Sequence, residues 1–304
     1  RDAVIEAADV KCIYEVPAAF KKQGLDDLIF RKLNIKGEDK PLSHWEEFVL
    51  ARAKHSSHEV KIAVVGKYIS LPDAYKSIYE ALVHAGIAND CKVIIQKIDS
   101  EDIETSADIV KYLGGVNGML IPGGFGNRGI QGKINAVKFA RENNVPYFGI
   151  CLGMQVAVIE FARHVCGLKG ADSTEFSSRT EHPVISLLEE QRHIKDKGAT
   201  MRLGAYDCRI EKNTKAYQAY KKEKISERHR HRYEFNSKYR KKMEDAGAVI
   251  AGINPDQDLV EIFEIKGHPW FVACQFHPEF KSKPDKAHPL FRQFIAAALQ
   301  NKKK

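Results

Sequence analysis

From Val60 onward, apolar strand-like segments and helix-like segments alternate along the chain. The predicted strands are "VKIAVVGKY", "CKVIIQKID", "GMLIPGG" and "VPYFGI", and the predicted helices include "PDAYKSIYEALVHAG" and "GKINAVKFAREN". Strand cores that are apolar throughout are typical of parallel strands covered on both faces. The sequence therefore predicts an α/β fold with an open, mostly parallel sheet and helices on both of its faces.

A cysteine lies where a predicted strand meets a predicted helix, in the segment "YFGICLGMQVAV" at residues 147–158. The pattern Gly149-x-Cys151-x-Gly153 is the sulfur counterpart of the nucleophile elbow of serine hydrolases. We expect a strained turn that lifts the sulfur clear of the sheet, at the N-terminus of a helix whose amides favour a thiolate. A buried structural cysteine in tight packing is the alternative explanation of this pattern.

A candidate general base lies near the other end of the chain, in "FVACQFHPEF" at residues 271–280. An apolar strand that includes Cys274 leads to His277, and Glu279 follows two residues later. If both side chains point the same way, as alternate residues of an extended segment do, the carboxylate can orient the imidazole toward a nucleophile. A surface turn with no catalytic role is the alternative for an isolated His-Pro-Glu.

A glycine-rich segment, "IPGGFGNRG" at residues 121–129, opens at the end of a third predicted strand. Its backbone amides could approach a substrate closely and stabilise an oxyanion. Glycine-rich turns also bind phosphate or simply reverse the chain, so the segment alone does not decide its role. All three candidate segments follow the carboxyl ends of predicted strands, where open α/β sheets bind their ligands.

The net charge of +8 is concentrated in one segment, Lys221–Lys242, which holds ten Lys/Arg and three Asp/Glu residues. Such a run can bind nucleic acid or other phosphates, or it can be a solvated surface. The six cysteines form no CxxC pair, which argues against a zinc site and suits a reducing cytoplasm. No apolar run is long enough to span a bilayer. The sequence therefore predicts a cytoplasmic protein with no metal site and no membrane contact.

Several motifs occur together in one order: "PGGFGNRG", "GICLGMQ", "DSTEF", "MRLGAYDC", "ERHRHRYEFN" and "HPWFVACQFHPEF". In this combination the chain resembles the class I glutamine amidotransferase family and, within it, the CTP synthase family. The resemblance runs from about Val60 to the end of the chain. It also includes "DVKCIYEVPAAFKKQGLDD" at residues 9–27, which is similar to the end of the synthetase domain of that family.

The resemblance implies a Cys-His-Glu triad that hydrolyses L-glutamine. Cys151 would attack the side-chain amide, His277 would act as general base and acid, and Glu279 would orient the imidazole. Gly124 and Leu152 would supply the oxyanion amides. The implied glutamine-binding residues are Gly124, Leu152, Gly153, Met154, Gln155, Glu175 and Arg232. The middle of the basic run then becomes a substrate-binding strand, and no nucleic-acid partner is expected.

The resemblance also implies functions that lie outside this chain. No G-x-x-x-x-G-K-[ST] phosphate loop occurs in the sequence, whereas CTP synthases need ATP, Mg²⁺ and UTP in an N-terminal synthetase domain and assemble as homotetramers. GTP activates such enzymes, and its site here would involve the loop that carries Phe125 and the loop that carries Met201 and Arg202. We expect no cofactor in this chain itself.

These features predict four parts: the end of a synthetase domain at residues 1–33, a linker at 34–59, an amidotransferase domain at 60–300 and a basic tail at 301–304. The chain begins at Arg1 and would be the last piece of a longer enzyme. Two other interpretations are an amidotransferase of another biosynthetic pathway and a non-catalytic nucleic-acid or regulatory module built on the same fold.

Overall fold

A nine-stranded sheet forms the centre of the chain in a computed structural model, which describes residues 3–37, 41–105, 109–187 and 201–302. We number strands and helices in chain order. The central sheet contains β1 (His58–Gly66), β2 (Cys91–Asp99), β3 (Gly118–Ile121), β4 (Tyr147–Ile150), β7 (Arg202–Ile210), β8 (Lys224–His231), β10 (Ala248–Asn254), β11 (Leu259–Ile265) and β12 (Phe271–Cys274). A second, small sheet contains β5 (Asp172–Ser173), β6 (Pro183–Ser186) and β9 (Glu234–Phe235).

Helices connect the strands and cover the sheet. They are α1 (Val16–Lys22), α2 (Leu25–Leu33), α3 (Ala51–Lys54), α4 (Lys76–Ala88), α5 (Ile109–Leu113), α6 (Ile130–Glu142), α7 (Leu152–His164), α8 (Lys215–Tyr220), α9 (Arg240–Asp245) and α10 (Pro289–Lys302). A π-helical segment, Trp45–Leu50, runs directly into α3. Short 3-10 turns include Ser100–Ile103 and Pro278–Lys281.

The strand order in the central sheet is β2-β1-β3-β4-β12-β11-β10-β7-β8. The first five strands of this order are parallel, as the sequence predicts, and the pairs from β12 to β8 are antiparallel. The α/β class with helices on both faces is confirmed. The antiparallel half was not predicted, because strands such as β8 alternate exposed and buried residues and carry many charges.

Two apolar layers hold the helices against the parallel half of the sheet. Alternate residues of β1 belong to different layers: Ala63 and Val65 face the layer under α6 and α7, whereas Ile62 and Val64 face the layer under α4 and α10. Strands buried on both faces need apolar residues at every position, which explains the continuous apolar runs in the sequence.

The segments that precede β1 pack against α4. Tyr14 and Val49 are buried together with Ile87 of α4, and the Trp45 Nε1 group donates a hydrogen bond of 2.7 Å to the Tyr14 carbonyl. The Tyr14 hydroxyl also donates to Glu80 Oε2 at 2.9 Å. Residues assigned to the predicted synthetase tail and linker therefore contact the predicted amidotransferase domain, and the domain limits themselves remain predictions.

The register of three adjacent parallel strands brings their carboxyl ends to one edge of the sheet. Ile121 of β3 lies beside Gly149 of β4, and Ile150 of β4 lies beside Cys274 of β12. The segments that follow these strands are the glycine-rich loop, the Cys151 turn and the His277 segment. Three stretches that are far apart in sequence thus converge at the crevice where open α/β sheets bind ligands.

The packing of α6 gives a first prediction, for Gly132→Ala. A Cβ at position 132 would lie 1.8 Å from the Ser100 carbonyl oxygen, so the Ser100–Ile103 turn must move away from α6. We expect the free energy of unfolding in urea to fall by about 1–3 kcal/mol, as is usual for overpacking. The neighbouring exposed substitution Gln131→Ala is the control and should change it by less than about 0.5 kcal/mol. Equal unfolding midpoints for the two variants would contradict this packing argument.

Candidate active site

Cys151 adopts a strained backbone conformation at the junction of β4 and α7. Its φ is 52° and its ψ is −103°, a region that residues with a side chain rarely occupy. A Cβ on Gly149 would lie 2.8 Å from the backbone of Gly153, and one on Gly153 would lie 2.2 Å from the Ile121 carbonyl oxygen. The two glycines permit the turn because they avoid these collisions, and the strained turn expected from the sequence is present.

Polar groups surround the Cys151 sulfur. The side-chain amide of Gln275 donates to Sγ at 3.7 Å, and the sulfur lies 4.0 Å from the Arg230 carbonyl oxygen. The Cys151 N–H donates to the Cys274 carbonyl at 2.7 Å, which ties the turn to β12. The sulfur also lies at the N-terminus of α7, a helix of 13 residues. A donor and a helix N-terminus both stabilise negative charge on sulfur.

His277 and Glu279 form a hydrogen-bonded pair beside the cysteine. His277 Nδ1 and Glu279 Oε1 are 2.7 Å apart. The two residues do not lie on one extended segment, since His277 caps the 3-10 turn Pro278–Lys281, and it is this turn that brings the carboxylate to the ring. A Cβ on Gly123 would lie 3.0 Å from His277 Cε1 and 3.5 Å from Cys151 Cβ, so this glycine permits the ring and the cysteine to approach each other.

The pKa of His277 is raised to about 10. Burial alone would lower it, but the charge of Cys151, a hydrogen bond with Cys151 and the interaction with Glu279 outweigh the burial. A carboxylate on one side and negative charge on the sulfur on the other favour the imidazolium form. Near neutral pH His277 is therefore an imidazolium, so that it begins with a proton to give away.

The glycine-rich loop is fixed by side chains from two other segments and by its own Arg128. Lys67 Nζ donates to the Phe125 carbonyl, and Arg128 Nη2 donates to the Lys67 carbonyl at 2.6 Å. Glu175 Oε1 accepts from the Gly126 N–H at 2.8 Å. These contacts therefore hold the backbone of the loop that follows β3 in one conformation.

Two backbone N–H groups near the sulfur remain available to a ligand. In the part of the chain that the structure describes, neither Gly124 N–H nor Leu152 N–H donates to a protein acceptor. One belongs to the loop after β3 and the other to the first residue of α7. Unpaired amides from two such segments are the donors that an oxyanion requires.

Two cavities meet at Cys151 and share Gly124 and Phe125 as a common wall. The larger cavity, of about 280 Å³, also contacts His277 and Glu279. The smaller cavity, of about 60 Å³, is lined by the shared residues and by Gln155, Glu175, Met201, His231, Arg232 and Tyr233. The structure thus brings the side chains of three residues implied by the resemblance, Gln155, Glu175 and Arg232, together beside the cysteine.

The other implied glutamine-binding residues occupy different positions. Leu152, Gly153 and Met154 are buried in the first turn of α7, and none of them lines either cavity. Only their backbone could contact a ligand there. Phe125 is 44 % exposed and lines both cavities, so it is accessible, as the predicted activator contact requires.

Below the smaller cavity lies a buried network of charged groups. Arg202 donates to Glu261 at 2.7 Å and to Glu234 at 3.3 Å, and His229 Nε2 lies 2.7 Å from the second oxygen of Glu261. Burial raises the pKa of Glu234 to about 8 even though Arg202 lowers it. This network fixes β8 against β9 and β11, and so it sets the position of the chain that leads to Arg232.

The buried network limits how the loop that carries Met201 and Arg202 could contribute to an activator site. Arg202 is 4 % exposed, both of its terminal nitrogens bond to carboxylates, and it lines neither cavity. Of the pair at the start of β7, Met201 alone lines the smaller cavity. Any contribution of this loop to an activator site would therefore come from Met201 rather than from the Arg202 side chain, which is held by Glu234 and Glu261.

Comparison with known proteins identifies the family. The model of the family "Glutamine amidotransferase class-I" matches residues 70–297 of the chain. The chain belongs to the class-I glutamine amidotransferase family. The resemblance inferred from the sequence motifs is thereby confirmed, together with the α/β fold that it implies.

Within this family, the chain is similar to CTP synthases. It is 55% identical to the CTP synthase of Syntrophus aciditrophicus over 302 residues, which are 99% of the chain and 56% of that protein. It is also 55% identical to the CTP synthase of Carboxydothermus hydrogenoformans over 303 residues, again 56% of the relative. The chain thus spans a little over half the length of these amidotransferases.

A solved structure supports the same placement within the amidotransferase family. The glutaminase domain of Trypanosoma brucei CTP synthase, determined with bound acivicin, is 42% identical. The superposition has a TM-score of 0.75 and covers 79% of this chain and 94% of that domain.

No described helix combines the length and the apolar character needed to cross a membrane. Among residues 3–37, 41–105, 109–187 and 201–302, no group of three or more His, Cys, Asp or Glu side chains is placed to hold a metal ion.

Sequence reasoning missed several residues at this amidotransferase site. Gln275 touches the sulfur, and Arg230, His231 and Tyr233 line the cavities. Gln275 could have been found, since it is a polar residue directly after the apolar strand β12 and two residues before His277. The alternation of charged and histidine residues in β8 also predicts two faces, but it does not show which face borders the cysteine.

The raised pKa of His277 gives a second prediction. In an NMR pH titration of the imidazole, Cys151→Ser should lower the pKa of His277 from about 10, because it removes the largest favourable interaction. Glu279→Gln should lower it by a smaller amount, and loss of an adjacent charge typically shifts a pKa by about 1–3 units. An unchanged pKa in both variants would show that the imidazolium is not stabilised by these neighbours.

Proposed function

We propose that this chain hydrolyses L-glutamine to glutamate and ammonia through a thioester on Cys151. The observation that carries the proposal is the geometry at the strained turn. A sulfur raised at a helix N-terminus lies beside a histidine that is bonded to Glu279, with two unpaired amides close by. A nucleophile, a proton carrier with its orienting group and oxyanion donors are the parts that acyl transfer requires.

In the first half of the reaction, the Cys151 thiolate attacks the side-chain amide carbon of glutamine. A carbon–sulfur bond forms, and the carbonyl electrons move to oxygen, where the Gly124 and Leu152 amides stabilise the negative charge. His277 then gives its proton to the amide nitrogen. The carbon–nitrogen bond breaks, ammonia leaves, and a glutamyl thioester remains on the sulfur.

In the second half, water attacks the thioester carbon while the now neutral His277 takes a proton from it. The carbon–sulfur bond breaks, glutamate leaves, and the thiolate and imidazolium are restored. Glu279 keeps Nδ1 bonded throughout, so the other ring nitrogen faces the reacting atoms. The raised pKa of His277 suits its first task, which is donation of a proton to the leaving group.

The smaller cavity supplies a binding site for the amino-acid end of glutamine. The Glu175 carboxylate and the Gln155 side chain suit the α-ammonium group, and Arg232 suits the α-carboxylate. Gln155 Nε2 donates to the Tyr233 carbonyl at 3.1 Å, which fixes its orientation and leaves its oxygen available as an acceptor. Backbone atoms of Leu152, Gly153 and Met154 would complete the site at the start of α7.

In the whole protein, we propose that the ammonia aminates UTP to CTP in an N-terminal synthetase domain that uses ATP and Mg²⁺. The support is the similarity to CTP synthases over 99% of this chain, which spans 56% of their length. On this proposal residues 1–33 end the synthetase domain, 34–59 link it to the amidotransferase domain at 60–300, and a tail follows at 301–304. The same relatives lead us to propose a cytoplasmic homotetramer.

Two other functions have less support. An amidotransferase of another pathway would use the same chemistry at Cys151. The similarity to CTP synthases, however, extends to the segments before β1, whose residues take no part in this chemistry. A non-catalytic nucleic-acid module is favoured only by the net charge. The central part of the basic segment instead forms β8, which contributes to the wall beside Cys151.

The proposed nucleophile gives a third prediction. Cys151→Ala should lower the rate of glutamate release from glutamine by about 10⁴-fold or more, because the thioester cannot form. Its circular dichroism spectrum should match that of the wild type. In the whole protein, the same variant should still make CTP from added ammonia, which is the matched control. Residual glutamate release close to the wild-type rate would refute the site.

The proposed activator site gives a fourth prediction. We propose that GTP binds where the exposed Phe125 loop faces the synthetase domain, with the aromatic ring stacking on the base. A ligand shifts a conformational balance only by its difference in affinity for the two states, and half of this site is outside the chain. GTP should therefore stimulate glutamate release by the 304-residue chain only weakly, compared with the whole protein. Strong, saturable stimulation of the chain alone would contradict a two-domain activator site.

A further inference from the structure

A strongly basic cavity lies between β8, the segment 281–287 and the start of α10. Its volume is about 570 Å³, and seven of its fifteen lining residues are lysine or arginine. It shares no lining residue with the two cavities at Cys151. The proposed glutaminase chemistry therefore leaves this cavity without a role.

Most of the cations around this basic cavity lack a carboxylate partner. Lys224 pairs with Asp207 at 2.8 Å, and Lys281 lies 3.7 Å from Glu227 while donating to the Ser226 carbonyl at 2.6 Å. The remaining cations form no ion pair within the part of the chain that the structure describes: Lys221, Lys222, Lys283, Lys286 and Arg292. The cavity wall thus carries a large uncompensated positive charge.

The single carboxylate in the wall does not neutralise this charge. Glu227 is 2 % exposed, and its Oε1 accepts from the Tyr220 hydroxyl at 3.0 Å and lies 3.1 Å from His288 Nε2. Its nearest interactions are therefore within the protein. Pro289, the first residue of α10, also lines the cavity, and this helix of 14 residues directs the positive end of its dipole toward the space.

The arrangement favours a compact anion over an extended one. The cations come from three segments, at 221–224, 281–286 and 292, and they surround one concave space rather than following a track along the surface. The cavity has the size of typical small-molecule sites, about 300–1,000 Å³. Lysine ammonium groups bind phosphate well as point charges. Clustered like charges repel, so an anion with several charges would relieve the repulsion of several cations at once.

We propose that this basic cavity binds a small molecule with several phosphate groups, at a site separate from the proposed glutaminase centre. Such a ligand matches the number of unpaired cations, the volume of the cavity and the helix N-terminus beside it. The lysines on the N-terminal side of the basic segment Lys221–Lys242 then acquire a function that the amidotransferase chemistry does not give them.

The test is calorimetric titration of the 304-residue chain with inorganic tripolyphosphate at low ionic strength. This probe has clustered phosphates and no base, so it does not depend on the proposed GTP site. The cavity variant combines Lys283→Ala, Lys286→Ala and Arg292→Ala and should bind at least about tenfold more weakly, since it removes three of the cations that would contact the phosphates. A matched control variant removes the same charge elsewhere, with Lys169→Ala, Lys238→Ala and Lys241→Ala, and should bind as the wild type does.

Each outcome decides for or against the proposed site. Loss of binding in the cavity variant but not in the control variant supports it. No binding to the wild type, or equal weakening in the two variants, refutes it and leaves the cations as a solvated surface. A short single-stranded RNA is titrated in the same way. If it binds more tightly than tripolyphosphate and loses its affinity in the cavity variant, the ligand of the cavity is a polynucleotide and the small-molecule proposal is refuted. Thermal unfolding of both variants checks that the fold is retained.

Discussion

The strained backbone at Cys151 is the constraint around which the site is built. A residue with a side chain at φ 52° persists only when its surroundings force it, and here Gly149 and Gly153 allow the backbones of β4, α7 and β3 to approach closely. The hydrogen bond from the Cys151 N–H to β12 adds a further restraint. The sulfur is therefore placed by the sheet itself rather than by a flexible loop.

Charge at the site follows from this placement. Because the sulfur is fixed beside His277, its charge and that of Glu279 outweigh the burial of the ring and raise the imidazole pKa to about 10. The cationic ring and the helix N-terminus then stabilise negative charge on the sulfur in return. The Lys67 and Glu175 contacts hold the glycine-rich loop in the same frame, so nucleophile, proton donor and amides are arranged before any ligand binds.

Local patterns in the sequence were enough to predict the parallel half of the fold and the neighbourhood of Cys151. Strand cores that are apolar throughout indicate strands buried on both faces. Glycines at fixed distances from one cysteine indicate a turn that has no room for side chains. Both requirements are local in sequence. The antiparallel half escaped prediction because β8 has polar side chains at buried positions. His229 is fully buried only because Glu261, 32 residues away in sequence, pairs with it.

Other parts of the site also depend on contacts between distant segments. The burial of Arg202 requires carboxylates from β9 and β11, and the contact of Gln275 with sulfur requires β12 to lie beside β4. The basic cavity combines residues from three segments, of which only one stands out in the sequence as a charged run. Charge density along the chain showed that cations were abundant, but not that they surround a common space.

The shared wall of the two cavities at Cys151 has a consequence for where the substrate is held and where ammonia is released. The side chains suited to an amino acid line one space, whereas His277 and Glu279 face the other. For the proposed chemistry, the acyl part of the substrate stays anchored on one side of the sulfur while its nitrogen is protonated from the other. On that proposal, ammonia is released into the space that His277 and Glu279 line, apart from the space that holds the amino-acid end of the substrate.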